Sequence, residues 1–119
     1  MTMCCNEAEP LLHYTGESKV YYLDLGEWSK GRAITAVVSI TSDDASLTLA
    51  SLAILTVDTS DYDRDGNAIT IEANTGVQWT MSGGTAGVET DEYTATVTIT
   101  YTTAAGTEQC PVLVKVLDP

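Results

Sequence analysis

At 119 residues the chain is long enough for one domain with a real core and too short for two. Its 44% hydrophobic content excludes a disordered chain. Its net charge of −12, from 17 Asp and Glu against 5 Lys and Arg, excludes a surface built to hold phosphate backbones. No run approaches the roughly 18 apolar residues of a membrane span.

Residues 1–18 lack clear periodicity and carry Pro10, Gly16 and scattered acids. They read as an N-terminal arm, with an apolar cluster at Leu11, Leu12 and Tyr14. The start shows neither the basic nor the apolar region of a signal peptide. Lys19–Leu25 is the first patterned strand, and it puts Tyr21 and Tyr22 on opposite faces. The Gly26–Gly31 stretch around Trp28 is a turn. Ala33–Thr41 alternates Ile34, Ala36, Val38 and Ile40 against Thr35 and Ser39, a second strand. Leu47–Val57 fits a short helical turn or, through Thr48, Ile54, Thr56 and Val57, one or two strands; a strand is predicted at Ala53–Asp58. Asp61–Asn67 is an acidic turn between strands. Ala68–Ala73 and Val77–Ser82 are short strands about Asn74-Thr75-Gly76, and Ser82–Gly87 is a connection.

The strongest pattern comes last. From Tyr93 to Tyr101 the odd positions are Tyr93, Ala95, Val97, Ile99 and Tyr101, and the even positions from Thr94 to Thr100 are all Thr. That is period 2, a strand with one buried and one wet face. Ala105-Gly106 offers a turn, and Cys110, Val112, Val114 and Val116 repeat the alternation, so a hairpin closes the chain. The pattern predicts an all-β fold and argues against a catalytic α/β architecture. About seven short antiparallel strands with turns every 8–12 residues describe an immunoglobulin-like β-sandwich over residues 19–119, preceded by the arm.

Cys4, Cys5 and Cys110 are odd in number and carry no CxxC spacing, which reads as three free thiols in a reducing cytosol. Residues Asp61, Asp63, Asp65 and Asn67, followed by Glu72, match the D-x-D-x-D-G-x5-E spacing of a calcium loop. Alternate carboxylates converge on a hard cation there, and Gly66 permits the turn. The flanks alternate as strands, not helices, so an EF-hand is not expected. The motif reads either as a weak calcium site or as a solvated acidic turn; no other cofactor is indicated. SGGTAG at Ser82–Gly87 lacks the Lys of a phosphate-binding P-loop. Trp28 and Trp79 read as core or interface anchors before sugar platforms. His13, the sole histidine, has no second base to form a triad.

Val77–Ala105 resembles the C-terminal half of phage fibre–tail adaptor proteins. The residues that carry this are Trp79, the Ser82–Gly87 turn, Tyr93, Thr94, Val97 to Thr100, Thr102 and Thr103. Upstream, Tyr21, Asp24 and Trp28 resemble the family's early strand and turn, and Ile34, Thr56 and Val57 its next elements. The resemblance spans about 19–117; the arm and the 58–74 segment depart from it. It implies a non-enzymatic virion protein of a tailed bacteriophage, synthesised in the host cytoplasm and sitting in the neck or tail. There it would help attach fibres through protein–protein contacts, in several copies around a ring. The expected partners are tail, neck or fibre proteins, with neither nucleic acid nor membrane. Two other readings stand beside it: a capsid decoration protein, and a calcium-dependent carbohydrate- or cell-binding module.

Overall fold

The computed structural model describes residues 11–26, 29–62, 66–84 and 93–117. They form strands only. In chain order these are β1 (Leu11–Tyr14), β2 (Ser18–Asp24), β3 (Ile34–Ser42), β4 (Leu47–Ile54), β5 (Thr59–Tyr62), β6 (Ala68–Ile71), β7 (Gly76–Gly83), β8 (Tyr93–Thr103) and β9 (Gly106–Leu117). The strands make a four-stranded sheet of order β1-β9-β8-β3, a three-stranded sheet of order β2-β7-β4, and a separate β5–β6 pair.

The alternation of the last thirty residues dictates the centre of the molecule. β8 and β9 pair antiparallel from Tyr93↔Val116 to Thr103↔Gly106 without a register shift. Ala95, Val97, Ile99 and Tyr101 therefore share a face with Cys110, Val112, Val114 and Val116, and all eight are fully buried. Against them the second sheet sets Tyr21 and Leu23 from β2, Val77, Trp79 and Met81 from β7, and Leu47 from β4. The two sheets thus pack as a sandwich around one core. Tyr21 is inside and Tyr22 only half-buried, the opposite-face arrangement that period 2 requires.

The corner at residues 74–76 joins the layers. Asn74 adopts φ 65°. Its carbonyl accepts the Ile34 N–H at 2.7 Å, and its own N–H donates to Leu55 O at 2.7 Å. A Cβ on Gly76 would collide with the Ile71 side chain and stand 2.8 Å from the Leu23 carbonyl. Only glycine lets three chain segments approach so closely.

Five expectations change. There are nine strands among the described residues instead of seven. Not all are antiparallel, because β1 runs parallel to β9 in the register Leu11↔Val114 to Tyr14↔Leu117. Leu11–Tyr14, read as part of the 1–18 arm, is thus an edge strand; residues 1–10 lie outside the described residues. The four-residue strand is too short to show a period, and its partner lies a hundred residues away. The strand expected at Ala53–Asp58 runs instead from Leu47 to Ile54, so only Ala53 and Ile54 of the expected range belong to it. A bulge displaces its register between Ala50 and Ala53, with Ser51 at φ 58°. That extra residue breaks the alternation that would have announced the strand. Finally, Cys110 is disulfide-bonded, not a free thiol; its partner lies outside the described residues. Spacing along the sequence cannot foresee a bond that depends on spatial approach.

The inward and outward faces of β8 predict opposite mutational outcomes. Val97→Asp or Ile99→Asp places an unpaired carboxylate in the core at a cost of several kcal/mol, against a total domain stability of about 5–15 kcal/mol. Neither variant should yield folded soluble protein. Thr98→Asp, on the outward face, should remain folded with a small loss of melting temperature. Equal loss of all three in a solubility and circular dichroism comparison would show the face assignment to be wrong.

Candidate functional site: the acidic hairpin and the buried histidine

The proposed calcium loop lies on the β5–β6 hairpin, whose register runs from Thr59↔Ile71 to Tyr62↔Ala68. Both flanks are strands, as the alternation of Ile69 and Ile71 predicts. Gly66 takes φ 84°, the left-handed conformation that the motif's glycine allows. Asp61 lies opposite Ile69, whereas Glu72 follows Ile71 and so lies at the level of Asp58. Three rungs, about 10 Å along the strands, separate them. Asn67 belongs to the other end, next to Tyr62↔Ala68. Asp61, Asn67 and Glu72 are therefore strung along the hairpin, and Asp63 and Asp65 lie outside the described residues. Among the described residues no three His, Cys, Asp or Glu side chains come together as a metal-binding group. At the hairpin's base Asp58 is engaged otherwise: its Oδ1 accepts the Ala73 N–H at 2.9 Å.

The hairpin does bring apolar side chains to the surface. Tyr62 is 71% exposed, and Ile69 and, just before β5, Val57 are also exposed. Beside them an open groove of about 270 Å³ runs between Tyr22 and Gln78, on the outer face of the three-stranded sheet, and the Ile54–Thr59 segment. Its lining is apolar or neutral, with the Tyr22 phenol its sole ionisable group.

His13 is the residue that sequence reading misplaced. It is fully buried because β1 is a strand whose inward position it occupies. The Gly83 carbonyl can only accept, so Nε2 donates to it at 2.9 Å. Nδ1 faces the Tyr21 hydroxyl at 2.8 Å, and that hydroxyl also reaches the Leu12 carbonyl at 3.2 Å. Tyr21 in turn stacks on Trp79 with ring centroids 5.9 Å apart. The cluster ties β1 of one sheet to β2 and β7 of the other. Trp79 is fully buried in this stack, which removes it as a sugar platform; Trp28 lies outside the described residues. No family model matches this sequence, and no curated relative is found by sequence comparison.

Burial first, and the Glu17 carboxylate second, push the Tyr21 phenol well above the usual tyrosine range. Burial and then the neighbouring Glu108 do the same for Tyr101, with Arg32 opposing. In both, folding holds the proton more tightly than the unfolded chain does. Their contribution to stability is therefore complete below the ordinary value of about 10 and is lost as pH rises towards the folded values. The urea midpoint should hold to about pH 9 and fall beyond about pH 10. Phenolate absorbance from these two residues should appear only with unfolding. A midpoint unchanged to pH 12 would contradict this linkage.

The hairpin reading makes a separate prediction. Calcium should leave the far-UV circular dichroism a β-rich spectrum with no gain of helix. A marked helical gain would mean that residues 58–74 rearrange into a helical calcium loop.

Proposed function

We propose that this chain is an immunoglobulin-like virion protein of a tailed bacteriophage, an adaptor in the neck or tail that helps attach fibres through protein–protein contacts. The strand orders β1-β9-β8-β3 and β2-β7-β4 support the immunoglobulin-like reading. The last two strands are central in one sheet, the first strand joins them in parallel, and the second strand lies in the opposite sheet. On this reading β5–β6 is a hairpin inserted between the fourth and fifth of seven sandwich strands.

The observation that carries the adaptor reading is where the distinctive side chains lie. Among the residues of the fibre–adaptor resemblance on β7 and β8, Trp79, Val97, Ile99 and Thr103 are buried, and Thr98, Thr100 and Thr102 form an outward Thr surface. The exposed large apolar residues sit on strands at sheet edges and on the hairpin: Leu12, Tyr14, Val20, Val38 and Tyr62 among them. A rigid scaffold that shows apolar groups along its edges is suited to binding neighbours in an assembly. The carboxylate-rich remainder keeps a multicopy protein soluble. Several copies around a ring would make heterologous contacts that close on themselves. Such a protein is synthesised in the host cytoplasm, and on this reading the Cys110 disulfide closes after lysis, in oxidising surroundings.

Gold-labelled antibody against the chain, applied to particles of the phage that encodes it, should label the neck or tail. Label over the head would favour the decoration-protein reading. Purified particles that lack the chain by mass spectrometry would overturn a virion role altogether.

A further inference from the structure

Alternation along the four-stranded sheet sends one set of side chains into the core and the other outward. The outward set is centred on Thr96, Thr98, Thr100 and Thr102 of β8. Its neighbours on β9 are the odd positions 107 to 117, and on β3 they include Ser39 and Thr41, opposite Thr100 and Thr98. At the other edge Leu12 pairs with Lys115 and Tyr14 with Leu117, so both stand on this same face. Leu12 and Tyr14 are 38% and 37% exposed.

This face differs in charge from the rest of the protein. Among its described residues no side chain is acidic, and Lys115 is the one that carries charge. The described carboxylates lie elsewhere. Glu17 precedes β2 and Asp24 ends it, Asp43 and Asp44 occupy the β3–β4 turn, and Asp58, Asp61 and Glu72 belong to the hairpin. Glu108 turns to the opposite face, 3.6 Å from Arg32. Two carboxylates stand at the rim: Asp43 Oδ1 accepts the Thr96 N–H at 2.8 Å, and Glu17 Oε1 accepts the Tyr14 N–H at 3.1 Å.

We propose that this face is where two copies of the chain pack together about a twofold axis. A chain of net charge −12 repels its own copy wherever carboxylates meet. Pressing together two faces whose described residues include no acid avoids that repulsion, and an isologous contact uses the same face twice. Four strands about 4.8 Å apart and about nine residues long give a face of roughly 600 Å². Two such faces bury roughly 1,200 Å², the lower end of stable interfaces. The short, branched, uncharged threonines let two sheets approach closely, while Leu12 and Tyr14 supply larger apolar anchors at one side. The inference does not depend on the virion reading.

Sedimentation equilibrium of the full chain tests it. The wild type should form dimers that tighten about tenfold between low and high salt, as screening relieves the carboxylates that surround the interface. Thr98→Glu should keep the native circular dichroism and weaken the dimer by about tenfold or more, because it places two like charges in the contact. Thr70→Glu, on the exposed hairpin, should leave the dimer unchanged. Without any variant, raising the wild-type concentration should shift amide resonances of β8 and β3 and spare those of β5–β6. A monomer at every salt and concentration overturns the proposal. So does a dimer that Thr70→Glu disrupts and Thr98→Glu does not, or resonance shifts confined to the hairpin.

Discussion

The apolar stripe of the β8–β9 hairpin places everything else. Its eight side chains, from Ala95 to Tyr101 and from Cys110 to Val116, are wholly removed from water. Each larger side chain contributes about 1.5–3 kcal/mol through that burial, so the stripe is comparable in scale with the net stability of a domain. β3 and β1 extend the hairpin on its two sides. β2, β7 and β4 exist as a sheet because Trp79, Met81 and their neighbours need the stripe as a surface to cover. Without it neither sheet has a partner for its apolar face.

The short first strand is secured by different means. A four-residue edge strand buries little, yet β1 carries the only histidine into the core. An imidazole buried without partners would cost more than the strand gains. Gly83 and Tyr21 supply those partners from the opposite sheet, and Thr15 continues the docking through its N–H to the Leu117 carbonyl at 3.0 Å. The His13 contacts thus bind the two layers at the end of the sandwich where β7 runs out. The same strand turns Leu12 and Tyr14 outward, so one short element serves both core and surface.

Charge completes the division of the surface. Most described carboxylates gather in turns and along the β5–β6 hairpin, although Asp44 is buried in its turn and Glu108 faces inward. Among the described residues, the outer face of the β1-β9-β8-β3 sheet carries hydroxyl, amide, aliphatic and aromatic groups and one ammonium, Lys115. In an acidic protein, a face whose described residues hold no carboxylate is where another copy meets the least electrostatic resistance.

Where local periodicity was strong and unbroken, the sequence by itself determined the structure. It set the β8–β9 hairpin with its buried face, the extents of β2, β3 and β7 to within a residue or two, the opposite faces of Tyr21 and Tyr22, and the strands flanking the acidic turn. Each rests on alternation or on near-neighbour chemistry. In β3, two register shifts turn Ala36 and Val38 outward and set Val37 against the core, contrary to the alternation of Ile34, Ala36, Val38 and Ile40. That Tyr21 is the inward one and that Trp79 anchors the core rather than an interface were decided by the packing. Tertiary structure decided what depends on distant pairing. β1 is a strand only because Val114–Leu117 lies beside it, and His13 is buried only because Gly83 and Tyr21 converge on it. β4 hid its period behind a bulge at Ser51. Cys110 found a disulfide partner across space, not along the chain. In the acidic motif, Asp61 and Glu72 have the spacing of a calcium loop, but that spacing closes on a cation in a coiled loop. On two extended strands, at about 3.4 Å per residue, it draws the ligands apart.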